Sequence, residues 1–239
     1  MNFEAFVLVA VTANLDDEPV AREHADAMEF RMDLASEPLV QLENYDGELP
    51  LLVTNRVQWE GGEAPNDPQR LDELESALEH PGVEAVDIEL DAIRDGDGER
   101  VVEAARERDL SVVVSVHDFE RTPDPDRLRT LLTAAADYGD VGKLAVTAVT
   151  SEDVLSLLEE TWRLTARGST VATMAMGETG RHSRAVAPLY GSRIGYAPVG
   201  PADATAPGQY DLATLSKLLD TLDPDGTRRG EQDTLDTTF

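Results

Sequence analysis

Apolar and polar positions along the chain alternate between two periods. Short β-branched runs give way to longer segments with apolar residues three and four apart, the marks of strands and amphipathic helices. Eight runs predict strands: "AFVLVAVT" (5–12), "AMEFRMDL" (27–34), "LPLLVTNR" (49–56), "EAVDIEL" (84–90), "SVVVSVHDF" (111–119), "VGKLAVTA" (141–148), "TVATMAM" (170–176) and "RIGYAPV" (193–199). The segments between them predict helices. "NDPQRLDELESALEH" offers Asn66 or Asp67 as an acceptor and a proline in its first turn. "DPDRLRTLLTAAADYG" ends at Gly139, a stop signal. "TSEDVLSLLEETWRLTARG" starts with a capping-box pattern and ends at Gly168. "GQYDLATLSKLLDTL" closes the series.

Eight strands, each followed by a helix or helical turn, predict an α/β fold, a single (β/α)8 TIM barrel. The barrel domain covers residues 1–223, and a polar, aperiodic tail covers 224–239. An open doubly wound sheet is the alternative. It calls for a glycine-rich phosphate loop after an early strand, and the sequence has none there.

Charge narrows the partners. Asp and Glu number 48 against 20 Lys and Arg, a net charge of -28. Such a chain repels nucleic acid and anionic membrane. The acids lie between periodic apolar segments, so they form solvated helix faces and not a disordered tail. In molar salt the Debye length falls to about 3 Å and self-repulsion is screened. Few lysines and no cysteine complete the pattern of a salt-adapted, cytoplasmic protein. The lack of cysteine excludes disulfides, thiolate metal sites and a cysteine nucleophile. The opening "MNFEAFVLVAV" has no basic n-region and carries Glu4, so it reads as a first strand and not a signal peptide. No apolar run approaches the ~20 residues that span a membrane.

Function in a barrel gathers at the C-terminal strand ends. The polar residues that interrupt strands or follow them are Glu29, Arg31, Asp33, Arg56, Glu60, Asp87, Glu89, His117, Asp118, Lys143 and the loop "GETGRHSR". Lys143 is one of two lysines, with Lys217, and stands inside an apolar run. A desolvated amine loses preference for its charged form and can attack a carbonyl to give a Schiff base, which arginine cannot do. A buried ion pair with an acid, or an amine reaching solvent at the barrel mouth, are the other readings. His117 ends the neighbouring strand, where it can move protons beside an imine; otherwise it is a satisfied core histidine. His24 and His80 read as surface residues, and in the loop that holds His182 the candidate ligand contact is Arg184. No "HxH" pair occurs. The acids of strands two and four could hold Mg²⁺, but Arg31 between Glu29 and Asp33 favours an ion-pair network.

Six motifs then become specific together. "EFRMD" (29–33), "TNRVQWEGG" (54–62), "SVHDFERTP" (115–123), "GKLA" (142–145), "MGETGRHSR" (176–184) and "APGQ" (206–209) stand in the order and spacing of type I 3-dehydroquinate dehydratase, which the chain resembles over nearly its whole length. The resemblance implies elimination of water from 3-dehydroquinate to give 3-dehydroshikimate in the shikimate pathway, with no cofactor and no metal. It implies Lys143 as the Schiff-base lysine, His117 as the acid–base group and Glu60 as its orienting partner. Arg184 would grip the substrate carboxylate. Glu29, Arg31 and Arg56 would bind ring hydroxyls and organise the pocket floor, and Gln209 and Thr205 would contact substrate from the last loop. Thr205 departs from the serine usual in the family but keeps the hydroxyl. The resemblance also implies a homodimer. A β-hairpin under the barrel, which some relatives have, is expected to be reduced or absent. A Schiff-base aldolase on the same barrel and a non-catalytic barrel are the competing functions. Arg184 and "APGQ" favour a cyclic carboxylate over a sugar phosphate.

Overall fold

The computed structural model describes residues 1–66, 68–200, 206 and 208–223. The predicted cap Asp67, the candidate Thr205 and the tail 224–239 lie outside the described residues.

Eight parallel strands form the barrel: β1 (Val7–Thr12), β2 (Ala27–Arg31), β3 (Leu51–Thr54), β4 (Val83–Glu89), β5 (Ser111–Asp118), β6 (Val141–Thr147), β7 (Val171–Met176) and β8 (Ile194–Pro198). Seven of the eight predicted runs contain one of them whole, and β4 begins one residue before its run, at Val83. Neighbours pair in chain order, and β8 returns to pair with β1. The β7–β8 seam is nearly closed. Val171 bridges Ser192, and the Ser192 hydroxyl accepts the Thr173 amide at 3.0 Å where a backbone carbonyl would otherwise stand.

The helices start where their caps dictate. Asp124 accepts the Arg127 amide ahead of Pro125–Tyr138, and Asp211 accepts the Thr214 amide ahead of Leu212–Leu222. Thr150 and Asp153 form the predicted capping box ahead of Ser151–Thr165. These helices bury leucines against the outward strand faces, as Leu128, Leu132 and Leu157 do against Leu144 and Val146 of β6.

Strand parity builds the interior. Val9, Ala27, Leu52, Ala85, Val113, Val141, Ala172 and Ile194 make an apolar base. Phe3 is buried in the same cluster. Residues 1–6 form no strand; the Met1 amine pairs with Glu84 at 2.9 Å and its carbonyl accepts the Ser111 hydroxyl at 2.6 Å. Two residues further along, the inward positions turn polar: Glu29, Thr54, Asp87, Ser115 and Lys143, then Arg31, Arg56, Glu89 and His117. Stability therefore resides low in the barrel and chemistry high.

The charge excess gives a first expectation. Screening falls as the Debye length grows from about 3 Å in molar salt to about 30 Å at 0.01 M. Diluting the protein from molar to millimolar KCl should lower its melting temperature by well over the ~2–4 °C that 1 kcal/mol moves a chain of this size. Equal melting temperatures at both salts would show that the acid excess does not strain the fold.

Candidate active site

A pocket opens at the C-terminal mouth. Its lining brings together Glu29, Arg31, Arg56, Glu60, His117, Lys143, Arg184 and Gln209, residues spread over 181 sequence positions. All the described members of the predicted site are therefore in one place.

Lys143 projects inward from β6 and is only 4% exposed. Its surroundings are more polar than the apolar run suggests. Nζ lies 2.8 Å from Asp87 Oδ2 and 3.7 Å from Glu29 Oε1, and stands 4.2 Å from the centre of the Tyr196 ring. The expectation of an amine among apolar groups alone needs correction, because the adjoining strands supply carboxylates at the same depth. Burial alone would raise the Asp87 carboxyl, but Arg56 and Lys143 outweigh it and hold it well below the usual carboxylate range. Asp87 is thus a fixed anion. Its Oδ1 accepts from Arg56 at 2.6 Å and from the Ser115 hydroxyl at 2.7 Å, leaving Oδ2 for the amine.

His117 follows Ser115 by one strand repeat and faces the same interior, because Ser115 pairs with Lys143 and His117 with Ala145. Its Nδ1 lies 2.8 Å from Glu60 Oε2, which leaves Nε2 free, and Phe119 stacks on the ring at 5.9 Å between centroids. Glu60 reaches this position through a tight reversal after β3. Gly61 there has φ +77°, in the region that favours glycine. A Cβ on Gly62 would lie 1.9 Å from the Arg56 carbonyl oxygen. The "EGG" of the motif is thus a steric requirement for bringing Glu60 under the histidine.

Burial pushes the Glu60 carboxyl up to about 8, against the pull of Arg56. Burial, with Arg56 and Lys143 nearby, pushes the His117 imidazolium well down. The pair consequently holds one exchangeable proton near neutrality, on the carboxyl. With the acid protonated toward Nδ1, the ring's own N–H sits on Nε2. Once Glu60 ionises, the N–H moves to Nδ1 and Nε2 presents a bare lone pair.

Arg184 is the other end of the site. The sequence suggests a loop for "GETGRHSR", but the chain forms two short helical turns, Gly177–Gly180 and Ser183–Val186. The Ser183 hydroxyl accepts the Ala175 amide at 2.9 Å and ties the second turn to β7. Arg184 is 5% exposed and its Nε has no partner. Burial lowers its guanidinium to about 10, and among the described residues no carboxylate restores it. The neighbouring His182 is exposed. An unneutralised buried guanidinium in a pocket is a seat for an anion. Gly208, at φ +76°, packs against Gly177 so closely that a Cβ would lie 2.3 Å from the Gly177 oxygen. That contact sets Gln209, whose Oε1 accepts the Ala206 amide at 3.1 Å, at the pocket wall.

The remaining predicted residues are more engaged with protein than expected. Arg31 makes a bidentate pair with Asp33 at 2.8 and 2.6 Å. Arg56 donates to Asp87, Glu89 and Ser115 at 2.6, 3.0 and 2.6 Å. Glu29 accepts the Thr54 hydroxyl at 2.9 Å. Arg56 is therefore foremost the organiser of the floor. Asp87, Ser115 and Tyr196 join this cluster; the sequence marks Asp87 as an inward acid without a role and does not mark Ser115 or Tyr196. Strand parity was the available signal, since Asp87 and Glu89, like Ser115 and His117, stand two apart.

The barrel and its mouth define a (β/α)8 enzyme with a buried amine, an acid–base pair and an anion seat in one pocket. The Type I 3-dehydroquinase family profile matches residues 7–225, and the chain belongs to that family. It is 60% identical over 228 residues to the 3-dehydroquinate dehydratase of Haloarcula marismortui, covering 94% of this chain and all of that one. Among solved structures, the 3-dehydroquinate dehydratase of Geobacillus kaustophilus superposes with a TM-score of 0.81 at 27% identity, covering 93% of both chains. The type I enzyme of Clostridium difficile, solved with covalently modified comenic acid, superposes with a TM-score of 0.79 at 26% identity, covering 92% of this chain and 93% of that one. The aldolase alternative lapses with this assignment.

Proposed function

We propose that the chain is a hydro-lyase that converts 3-dehydroquinate to 3-dehydroshikimate and water through an imine on Lys143, in the shikimate pathway. The observation that carries this reading is the pocket itself: a buried amine, a histidine–carboxylate pair and an unpaired guanidinium around one volume. Arg184 takes the substrate carboxylate and sets the ring's direction. Lys143 Nζ bonds to the ketone carbon, and the carbonyl oxygen departs as water. His117 Nε2 removes a proton from the adjacent carbon, and the C–H electrons move onto the iminium nitrogen. The resulting enamine expels the hydroxyl one carbon further on, which leaves as water with the proton from His117. Hydrolysis of the imine returns the amine, so the net loss is one water. Glu60 orients the imidazole and stabilises its protonated form. Glu29, Arg31, Gln209 and Thr205 contact the ring substituents. No step uses a cofactor or metal, and the acids of β2 and β4 are already engaged by Lys143 and Arg56.

The direct test is an increase in enone absorbance when 3-dehydroquinate is added in molar KCl; no absorbance change at any salt concentration overturns the reading. We also infer a homodimer and a cytoplasmic location. The resemblance supports the first and the acid-rich composition the second, and light scattering in molar KCl tests the dimer. Among the described residues no helix is long and apolar enough to cross a membrane.

Two further expectations arise from the site. Removing a charge-assisted contact typically costs about 1.5–3 kcal/mol, so Arg184→Ala should raise KM by about 10- to 100-fold with a smaller change in kcat. A collapse of kcat at unchanged KM would place Arg184 in the chemical step. The pH dependence follows from the shared proton. The base form needs Glu60 ionised and His117 neutral, and Glu60 is the last of the pair to ionise, near 8. The value of kcat/KM should therefore rise with pH through about 8. A profile that is flat or falling between pH 6.5 and 9 would remove the pair from proton abstraction.

A further inference from the structure

Tyr196 stands against the reacting nitrogen and has no part in the chemistry above. It occupies the middle of β8, opposite Val9 of β1, and belongs to the buried interior cluster. It is 4% exposed and lines the same pocket. Its Oη has no hydrogen-bond partner, so no hydrogen bond of the hydroxyl fixes the ring. What the ring does meet is Lys143 Nζ, 4.2 Å from its centroid, well inside the ~6 Å reach of a cation–π contact.

Two kinds of partner thus face the Lys143 nitrogen, and the reaction treats them differently. Asp87 and Glu29 hold a cation through its N–H groups. An ammonium has three of these. When R–NH₃⁺ and the ketone become R–NH⁺=C and water, the charge is kept and two N–H groups are lost to the departing water. Contact with Asp87 then depends on where the single remaining N–H points. The ring face responds to charge whichever way that N–H points, and a planar C=N⁺ can lie across it. We propose that Tyr196 is a further residue of the reaction, whose ring face holds the positive charge on the nitrogen of the Lys143 imine. The inference rests on the imine reading and adds to it a specific stabiliser on β8.

The test grades the ring's electrostatics at nearly constant shape. Tyr196→Phe removes the hydroxyl and keeps the face. Phenylalanines bearing successively more ring fluorines at the same position then weaken the face stepwise, and Tyr196→Leu removes it. The readout is the amount of borohydride-trapped adduct on Lys143 formed in a short pulse with saturating 3-dehydroquinate in molar KCl. Melting temperatures are recorded alongside, so that only folded variants are compared. Tyr196→Phe should stay within about 3-fold of the wild type. Trapped adduct should fall with each fluorine, toward about 10- to 30-fold for the most fluorinated ring and for Tyr196→Leu, the range expected of a desolvated cation–π contact. Adduct independent of fluorination overturns the inference. So does a Tyr196→Phe loss as large as that of Tyr196→Leu, because the hydroxyl and not the face would then be the working part. If the wild type itself gives no adduct on Lys143, the imine reading fails and this inference falls with it.

Discussion

Lys143→Ala should turn over 3-dehydroquinate at a rate lower by about 10⁶-fold, the scale seen when a covalent nucleophile is removed. The reason is chemical and not structural. Without the imine, the proton beside the ketone is too weakly acidic for an imidazole to remove, and nothing accepts the electrons left behind. The variant should still fold in molar KCl, because the amine is replaced in a polar layer and the apolar base below it is untouched. Its cost to stability is the loss of one of Asp87's partners, while Arg56 and Ser115 still hold the carboxylate. Circular dichroism and a turnover assay on the same sample separate the two effects. Activity within 100-fold of the wild type would contradict a nucleophilic role.

His117→Ala should cut turnover by at least the ~10²–10⁴-fold typical of a lost acid–base group. Unlike the lysine variant, it should still form an adduct with substrate, because Lys143, Asp87 and Arg184 remain in place. Glu60→Ala should fall between the wild type and His117→Ala, since it removes only the partner of Nδ1. The Lys143→Ala/His117→Ala double variant should be no worse than Lys143→Ala alone, because the two residues act in sequence on one path. Normal turnover by His117→Ala would break the pairing of β5 and β6 as a single site.

The fold was legible because periodicity and topology agree. Seven of the eight strands fall inside the run that predicts them and β4 starts one residue early, and the capping box at Thr150 and the stop at Gly139 form as written. The site was legible for a second reason: a lysine or histidine in a β-branched strand is costly and marks itself. What escaped depends on distance across the barrel. The sequence of β6 suggests an apolar shell for Lys143, whereas the carboxylate that meets it comes from β4, 56 residues earlier. Arg31 shows its ion pair locally, because Asp33 stands two residues on, whereas Arg56 reads as a substrate contact because nothing local shows that Asp87 occupies its donors. The "GETGRHSR" segment has the glycines of a loop, yet its backbone closes into helical turns held by Ser183. Tyr196 looks like one more apolar strand residue until its ring is found against the amine.

The central claim is that Lys143 bonds to substrate, and reductive trapping tests it most directly. Borohydride added with 3-dehydroquinate should inactivate the enzyme and leave one reduced adduct. Mass spectrometry of the digest should place it on the peptide that carries "LAVTAVT", at Lys143. The same treatment of Lys143→Ala should leave no adduct. An adduct on Lys217, or full turnover in borohydride with no adduct on the chain, would contradict the account.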